Sequence, residues 1–415
     1  MRTYKLKQLL SIKNGRDHKE LNPGNIPVYG SGGIMRYGDK AMYNDESILL
    51  PRKGTLANIQ YVNKPFWTVD TIYYSIVNKE LANPFYLFNF LKVLDLSKLN
   101  TGTGVPSMTF DSYYNLDIVL PELEVQQKIA SVLSALDSKI ELNNRINVEL
   151  EAMAKTLYDY WFVQFDFPDK KGKPYKTSGG TLVWNEGLKR EIPEGWEVGN
   201  LGDIAELVRG VTYDSSEIKN QNDNGVIPIL RATNISGNVI DLNDMVYVPK
   251  QNVSPSQVLN KYDILITMSS GSKEHIGKNG FFFYEKEVSF GAFCAKIVAK
   301  KEYRFYLYSY TQSDFMFTTI KNECLGTNIN NLNVSLVKGF RMVVPTSDLI
   351  ELFTEKVSSG YEKNCNNLFE NQKLTELRDW LLPMLMNGQV KVMDEKETKS
   401  SMAAEAEVTY KKSRT

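Results

Sequence analysis

The sequence predicts an α+β chain of two tandem globular modules, each a mixed sheet with short helices. Two long helices join them, pairing as an antiparallel coiled coil with pseudo-two-fold symmetry. Three observations predict this. Gly102-Thr103 returns as Gly326-Thr327, and Leu116, Ile118, Val119, Leu120 and Pro121 return as Phe340, Met342, Val343, Val344 and Pro345, an ungapped offset of 224 (326 minus 102). After each proline runs an apolar stripe stepping by 4 and 3, the mark of a helix that needs a partner helix. Between the copies lies a Gly/Pro-punctuated stretch that suits a linker.

Residues 1–121 are the first module. Ile26-Pro27-Val28-Tyr29 reads as a strand running into a flexible Gly30-Ser31-Gly32-Gly33 loop, and Ser47-Ile48-Leu49-Leu50-Pro51 as a buried strand before the basic turn Arg52-Lys53-Gly54. Thr71 to Val77 is β-branched and aromatic, hence a strand. Pro84 to Leu99 carries apolar residues at helical spacing, and Asn83-Pro84 reads as its start.

Residues 122–164 are the central long helix. Its seam candidates are Ile129, Leu133, Leu136, Ile140, Leu150 and Leu157, with Asn143 and Asn147 interrupting them. Residues 165–195 are the linker, and 196–346 the second module. There Ile227-Pro228 and Ile264-Leu265-Ile266 answer the earlier strands, and Arg304 to Ile320 answers the earlier helix. The turns differ throughout, so one scaffold presents two loop sets. Residues 347–390 are the C-terminal long helix, with Phe353, Val357, Leu374 and Leu381 on its seam and Asn367 and Asn371 where the first copy has Asn143 and Asn147. Asparagines at seam positions either fix register at some cost in stability or are solvated where the helices diverge. Residues 391–415 are polar and read as a disordered tail.

Composition narrows the chemistry. Three cysteines without a C-x-x-C pair suit a reducing compartment and argue against a disulfide framework or zinc ribbon. No stretch approaches the ~20 apolar residues of a membrane span, and the amino terminus lacks a signal-peptide core. The chain therefore reads as soluble and cytoplasmic. Net charge is zero, but unevenly spread: residues 1–120 hold 14 Lys/Arg against 10 Asp/Glu, and 121–161 hold 4 against 7. A basic module beside an acidic helix hints at a polyanion for one and a protein partner for the other.

Motifs for catalysis fail on inspection. Gly271 to Asn279 imitates a P-loop but has five residues between its glycines and Asn279 where a Ser/Thr holds magnesium. Asn83-Pro84-Phe85-Tyr86 lacks the second proline of an adenine-methyltransferase turn. Pro168-Asp169 is not followed by the acid and lysine of a nuclease. His18 and His275 sit in unrelated loops. No catalytic, metal or cofactor residue is assigned, and the chain reads as a binder.

Loop residues suited to phosphates and base edges are Lys13, Arg16, Tyr29, Ser31, Arg36, Arg52 and Lys53 in the first module. In the second they are Arg209, Arg231, Thr233, Asn234, Ser269, Ser270, Lys273 and Lys278. Arg pairs with two acceptors on guanine, Asn with two groups on adenine, and Lys with phosphate. The small polar turns 101–104 and 325–328 recur just before each module's last strand.

This layout resembles the specificity subunit of Type I restriction-modification enzymes. The resemblance covers essentially residues 1–390. It rests on Ile26 to Gly33, on Leu120-Pro121 followed by Gln126-Gln127-Lys128-Ile129-Ala130, on Trp161-Phe162 with Phe165-Asp166-Phe167, and on Ile192-Pro193-Glu194-Gly195-Trp196 opening the second module. The second copy departs from it, with Glu351-Leu352-Phe353-Thr354 in place of the glutamine signature and Arg231-Ala232-Thr233-Asn234 in place of the glycine loop. The resemblance implies two target-recognition domains reading the two halves of a bipartite, asymmetric double-stranded DNA target, with the coiled coil as ruler. It implies two adenine methyltransferase (modification) subunits bringing S-adenosylmethionine, and restriction subunits using ATP and magnesium. Two other classes remain at this stage: a coiled-coil scaffold without a DNA role, and a self-contained methyltransferase or nuclease.

Overall fold

The computed structural model describes residues 1–54, 56–96, 106–325 and 331–392. The repeated turns at 101–104 and 326–328, and the tail from 393, lie outside the described residues. The chain divides into two compact units, Met1–Glu141 with Gln372–Thr415, and Leu142–Asn371. Both boundaries fall inside long helices, so each unit holds one lobe and a piece of both helices.

In the first unit β1 (Arg2–Lys5) leads through the single turn α1 (Leu6–Leu9) into β2 (Leu10–Asn14). The hairpin β3 (Ile26–Gly30) and β4 (Gly33–Gly38) follows, then β5 (Ser47–Pro51), β6 (Gln60–Val62), β7 (Trp67–Thr68) and β8 (Ile72–Val77). Helices α2 (Pro84–Val93) and α3 (Phe110–Tyr114) precede β9 (Asp117–Leu120). The strands form sheets of order β2-β8-β5-β6 and β4-β3-β7, with β1 paired to β9. Every residue of β5 is buried, as an unbroken apolar run predicts. Asn83 caps α2, its side-chain oxygen accepting the Tyr86 N–H at 2.9 Å, with Pro84 at the first helical position. The Gly30–Gly33 loop is a tight hairpin turn. Gly30 pairs with Gly33, whose φ of +121° suits only glycine.

The second unit repeats the plan. A hairpin of β10 (Leu182–Asn185) and β11 (Arg190–Pro193) comes first. Then follow β12 (Glu197–Asn200), α5 (Leu201–Ile204), β13 (Ala205–Arg209), β14 (Val226–Leu230), β15 (Ile235–Ser236), β16 (Val239–Ile240), β17 (Val246–Pro249) and β18 (Ile264–Thr267). After them come β19 (Asn279–Phe281), β20 (Ser289–Phe290), β21 (Cys294–Ala299), α6 (Arg304–Thr311), α7 (Asp314–Leu325), α8 (Val334–Lys338) and β22 (Arg341–Val344). The sheets run β13-β21-β18-β19 and β17-β14-β20, matching the first unit strand for strand.

Two expectations differ here. The single helix read over Arg304 to Ile320 is two, because the Ser313 hydroxyl donates to Tyr310 O at 2.6 Å and accepts the Met316 N–H at 3.3 Å. It closes one helix and caps the next. The stretch 165–195 is packed structure and not an open linker. Phe167 stacks on Tyr175 and Trp196 at 4.6 and 5.0 Å, and Phe165 and Ile192 join the core. Its apolar residues carried that signal, outweighed by glycine and proline.

The long helices are α4 (Leu123–Tyr158), which ends in a π-helical turn (Asp159–Val163), and α9 (Ser347–Met386). Residue numbers rise along one while they fall along the other. In the first unit Asp137 pairs with Arg378 at 2.9 Å, and Ile129 and Leu133 share a core with Leu385 and Met386. In the second Asn147 meets Asn367 at 2.7 Å, and Phe162 meets Phe353 at 5.1 Å between ring centres. The pairing is antiparallel within each unit.

The seam departs from a simple apolar stripe. Ile129, Leu133, Phe353 and Val357 are buried, but Leu136, Ile140, Leu150, Leu157, Leu374 and Leu381 are only half buried. Two helices alone cannot enclose a side chain, and burial is complete where a lobe also packs on. The mid-seam is polar instead. Asn143, Asn364 and Asn367 are at most 1% exposed. Asn143 donates to Asn371 Oδ1 at 2.9 Å and Glu370 Oε2 at 2.8 Å, and Asn371 donates to Asn144 Oδ1 at 2.8 Å. The ladder is buried and cross-linked, so it is not a solvated gap.

Gln126 explains part of the glutamine signature. It is 1% exposed, donates to Leu81 O and Pro121 O, and accepts the Asn83 N–H at 2.9 Å. It staples the start of α4 to its own lobe. Ile350, its counterpart 224 residues on, is buried and apolar. The second copy therefore replaces a polar staple by packing.

Candidate nucleic-acid interface

Each lobe gathers its loops around one short segment by the same set of backbone hydrogen bonds. In the first unit the segment is 68–71. Arg16 N–H donates to Thr68 O at 2.9 Å, Val69 N–H to Tyr29 O at 2.9 Å, and Arg52 and Lys53 N–H to Thr71 O at 2.9 and 3.2 Å. In the second it is 290–293. Val211 N–H donates to Phe290 O at 2.8 Å, Gly291 N–H to Leu230 O at 2.9 Å, and Met268 and Ser269 N–H to Phe293 O at 2.8 and 3.1 Å. A parallel strand pair feeds each segment, β3 with β7 and β14 with β20. An isolated bridge closes each, Lys53 to Ser107 and Ser269 to Asn331, with Asn331 lying 224 residues after Ser107. Gly15 and Gly210 sit where a side chain would strike Val69 O at 1.9 Å and Gly291 O at 2.2 Å, so only glycine lets the segments meet.

The backbone is shared but the side chains on it are not. Arg16 answers to Val211, Arg52 to Met268, Lys53 to Ser269, Asp70 to Ala292, Thr71 to Phe293 and Ser107 to Asn331. A rigid frame with exchanged side chains suits a reader that must be re-specified without refolding.

The structure brings Arg16, Ser31, Arg52 and Lys53 together on the first hub. Ser31 N–H donates to Thr71 Oγ1 at 3.4 Å, and the Arg52 guanidinium donates to Asp70 O at 3.3 Å. Lys13 is exposed on β2 beside it. Arg36 lies apart on β4, donating to Leu21 O at 2.5 Å. Tyr29 is corrected. Its ring is 9% exposed and packs edge-on against Phe66, and burial raises its hydroxyl pKa, so it belongs to the core.

On the second hub sit Arg209, whose Nε donates to Ala292 O at 3.4 Å, Ser269, which donates to Asn331 Oδ1, and Ser270 beside it. Thr233 is exposed in the turn after Arg231. Lys278 pairs with His275 Nδ1 at 2.8 Å. The Lys273 side chain lies outside the described residues. One assignment is corrected. Asn234 is 4% exposed and donates to Asp241 O and Asn243 O at 3.1 and 2.6 Å, so it ties its own loop and has no free edge for adenine. Arg231 stays part-exposed, its guanidinium paired at 2.8 Å with both the carboxylate and the carbonyl of the exposed Asp244.

The P-loop imitation is also structural. Asn279 is 1% exposed, bonded to Gly277, Thr311 and Gln312. Among the described residues no group of three or more His, Cys, Asp or Glu could hold a metal ion, and no helix is long and apolar enough to cross a membrane. Sequence reasoning missed Asp70, Phe293 and Asn331. Asp70 lies just before the strand read from Thr71, and no motif or repeated spacing marks Phe293. Asn331 could have been found from the 224-residue repeat, which sets it against Ser107.

A duplicated lobe presenting exchangeable loops on a fixed frame defines a two-site specificity protein. Comparison with known proteins gives its family. The model of the Type I restriction modification DNA specificity domain matches residues 1–152 and 193–348, so the chain belongs to that family and carries two copies of its domain. It is 26% identical to the MjaIX specificity subunit of Methanocaldococcus jannaschii, over 88% of this chain and 84% of that one. It is 32% identical to the EcoKI specificity subunit of Escherichia coli, over 41% of this chain and 37% of that one. The crystal structure of the Type I restriction-modification S subunit from M. genitalium shares the fold, with a TM-score of 0.56 at 18% identity, covering 92% of this chain and 95% of that one. The chain is a DNA-binding, non-catalytic specificity subunit of a Type I restriction-modification system.

Proposed function

We propose that each lobe reads one half of a bipartite, asymmetric DNA duplex and that the helix pair sets the gap between the halves. The observation carrying this is the pair of hubs, alike in backbone and unlike in side chains. One frame presents Arg16, Arg52 and Lys53 in the first lobe and Arg209, Ser269 and Asn331 in the second. Two different half-sites are what such a pair would read.

The acidic stretch 121–161 suits protein partners better than phosphates. Two adenine methyltransferase subunits dock there in this reading, bringing S-adenosylmethionine. Restriction subunits join them and use ATP and magnesium. The assembly works in the cytoplasm. A scaffold without a DNA role and a self-contained enzyme are set aside, by family membership and by the absence of a catalytic motif in the sequence.

The test is to delete one heptad from each long helix, at facing positions. Seven residues remove ~10 Å, about three base pairs at 3.4 Å each. The methylated motif should keep both half-sites and shorten its gap. Altered half-site bases with an unchanged gap would overturn the ruler.

A further inference from the structure

We propose that Phe293 and Asn331 together read one A·T pair in the half-site taken by the second lobe. Phe293 covers the thymine methyl and Asn331 pairs with the adenine edge. The inference rests on the reading of that lobe as a half-site reader.

Phe293 is 67% exposed, a large apolar ring at the centre of a polar loop cluster. Its backbone is pinned. Its carbonyl accepts two N–H groups, Ala292 N–H donates to Val211 O at 2.9 Å, and Cys294 N–H donates to Gly291 O at 2.8 Å. The ring is therefore held out in water by a segment with little freedom to fold it back. The counterpart Thr71 instead uses its hydroxyl within its own lobe, on Ser31 N–H.

Ser269 joins Phe293 to Asn331. Its N–H binds the Phe293 carbonyl at 3.1 Å, and its hydroxyl donates to Asn331 Oδ1. Asn331 is exposed, and this bond orients its amide. In the major groove an A·T pair presents adenine N7 and N6 beside the thymine methyl. Asn matches the first two with one acceptor and one donor, and an aromatic ring covers the third. Arg209, bonded to the carbonyl of Ala292, adds a cation for the nearby backbone. The first lobe has Lys53 in place of Ser269 and Thr71 in place of the ring, which does not make this pair of contacts.

The test uses the full chain with its methyltransferase subunits. After the motif is mapped, each thymine of the second half-site is replaced singly by uracil, which lacks the methyl, and binding is measured. One uracil should weaken the unaltered complex about tenfold. Phe293→Ala should lose a similar factor on the natural duplex and become indifferent to that uracil. Asn331→Ala should lose its preference for adenine at the same pair. Both variants should keep first half-site recognition and the parent melting temperature, which separates lost contact from lost fold. A uracil penalty that persists in Phe293→Ala, no thymine whose methyl matters, or a second half-site without an A·T pair would overturn the proposal. A ring that wedges between bases would give a Phe293→Ala loss at no particular uracil, and would overturn it too. Failure of the underlying reading would look different: no split motif at all.

Discussion

Glu151, on α4 in the second unit, is held protonated to unusually high pH. Burial raises its pKa from 4.5 to about 7, and the Asn364 hydrogen bond only partly offsets this. It lines a cavity of about 260 Å3 with Asn238, Phe281, Phe283 and Tyr284. The Asn238 amide donates to one carboxyl oxygen and the Asn364 amide to the other at 3.3 Å. The folded chain therefore binds a proton that the unfolded chain has released between pH 4.5 and 7. Stability from this group is full below pH 4.5 and is lost as pH rises through 7. At 1.36 kcal/mol per pH unit the loss has a ceiling of ~3 kcal/mol, or ~2 kcal/mol after allowance for residual solvent. Glu151→Gln removes the titration. Urea unfolding followed by fluorescence of Trp161 and Trp196, in the same unit, should place the two proteins close together at pH 4.5. The variant should be ~2 kcal/mol more stable at pH 8. Two stability curves that stay parallel from pH 4.5 to 8 would refute the reasoning.

Three further outcomes are expected. Lys296 and Asp263 form a buried ion pair at 3.1 Å, 4% and 6% exposed, so Lys296→Met should cost ~3–5 kcal/mol in denaturant unfolding by stranding the carboxylate. Adding Asp263→Leu should restore much of that. Asn234→Ala should cost ~2 kcal/mol of stability through lost loop bonds, with the methylated motif unchanged. Replacing Arg52 and Lys53 by Ala should weaken DNA binding and lower the slope of log affinity against log salt by about 2, leaving second half-site preference intact.

Much of the fold was legible because duplication shows twice. Leu6 and Leu9 against Leu201 and Ile204, or β5 against β18, repeat an apolar spacing that chance rarely reproduces. The long helices were legible from their 4-3 stripe. What stayed hidden depended on tertiary partners. Tyr29 and Asn234 are residue types that suit DNA, yet a neighbouring Phe66 and the carbonyls of Asp241 and Asn243 claim them. Nothing in the sequence around Phe293 sets it apart, and its 67% exposure shows the ring turned outward. Six of the ten apolar seam residues are only half buried because enclosure depends on a lobe lying over them, which helical spacing cannot express.

The most direct test of the central claim is a methylation map. The chain is co-expressed with the adenine methyltransferase subunit of its own system, and modified adenines are located by single-molecule sequencing. The account predicts one split motif whose first half changes with Arg52 and Lys53 and whose second half changes with Phe293 and Asn331. A continuous motif, or one in which substitutions in a single lobe alter both halves, would contradict it.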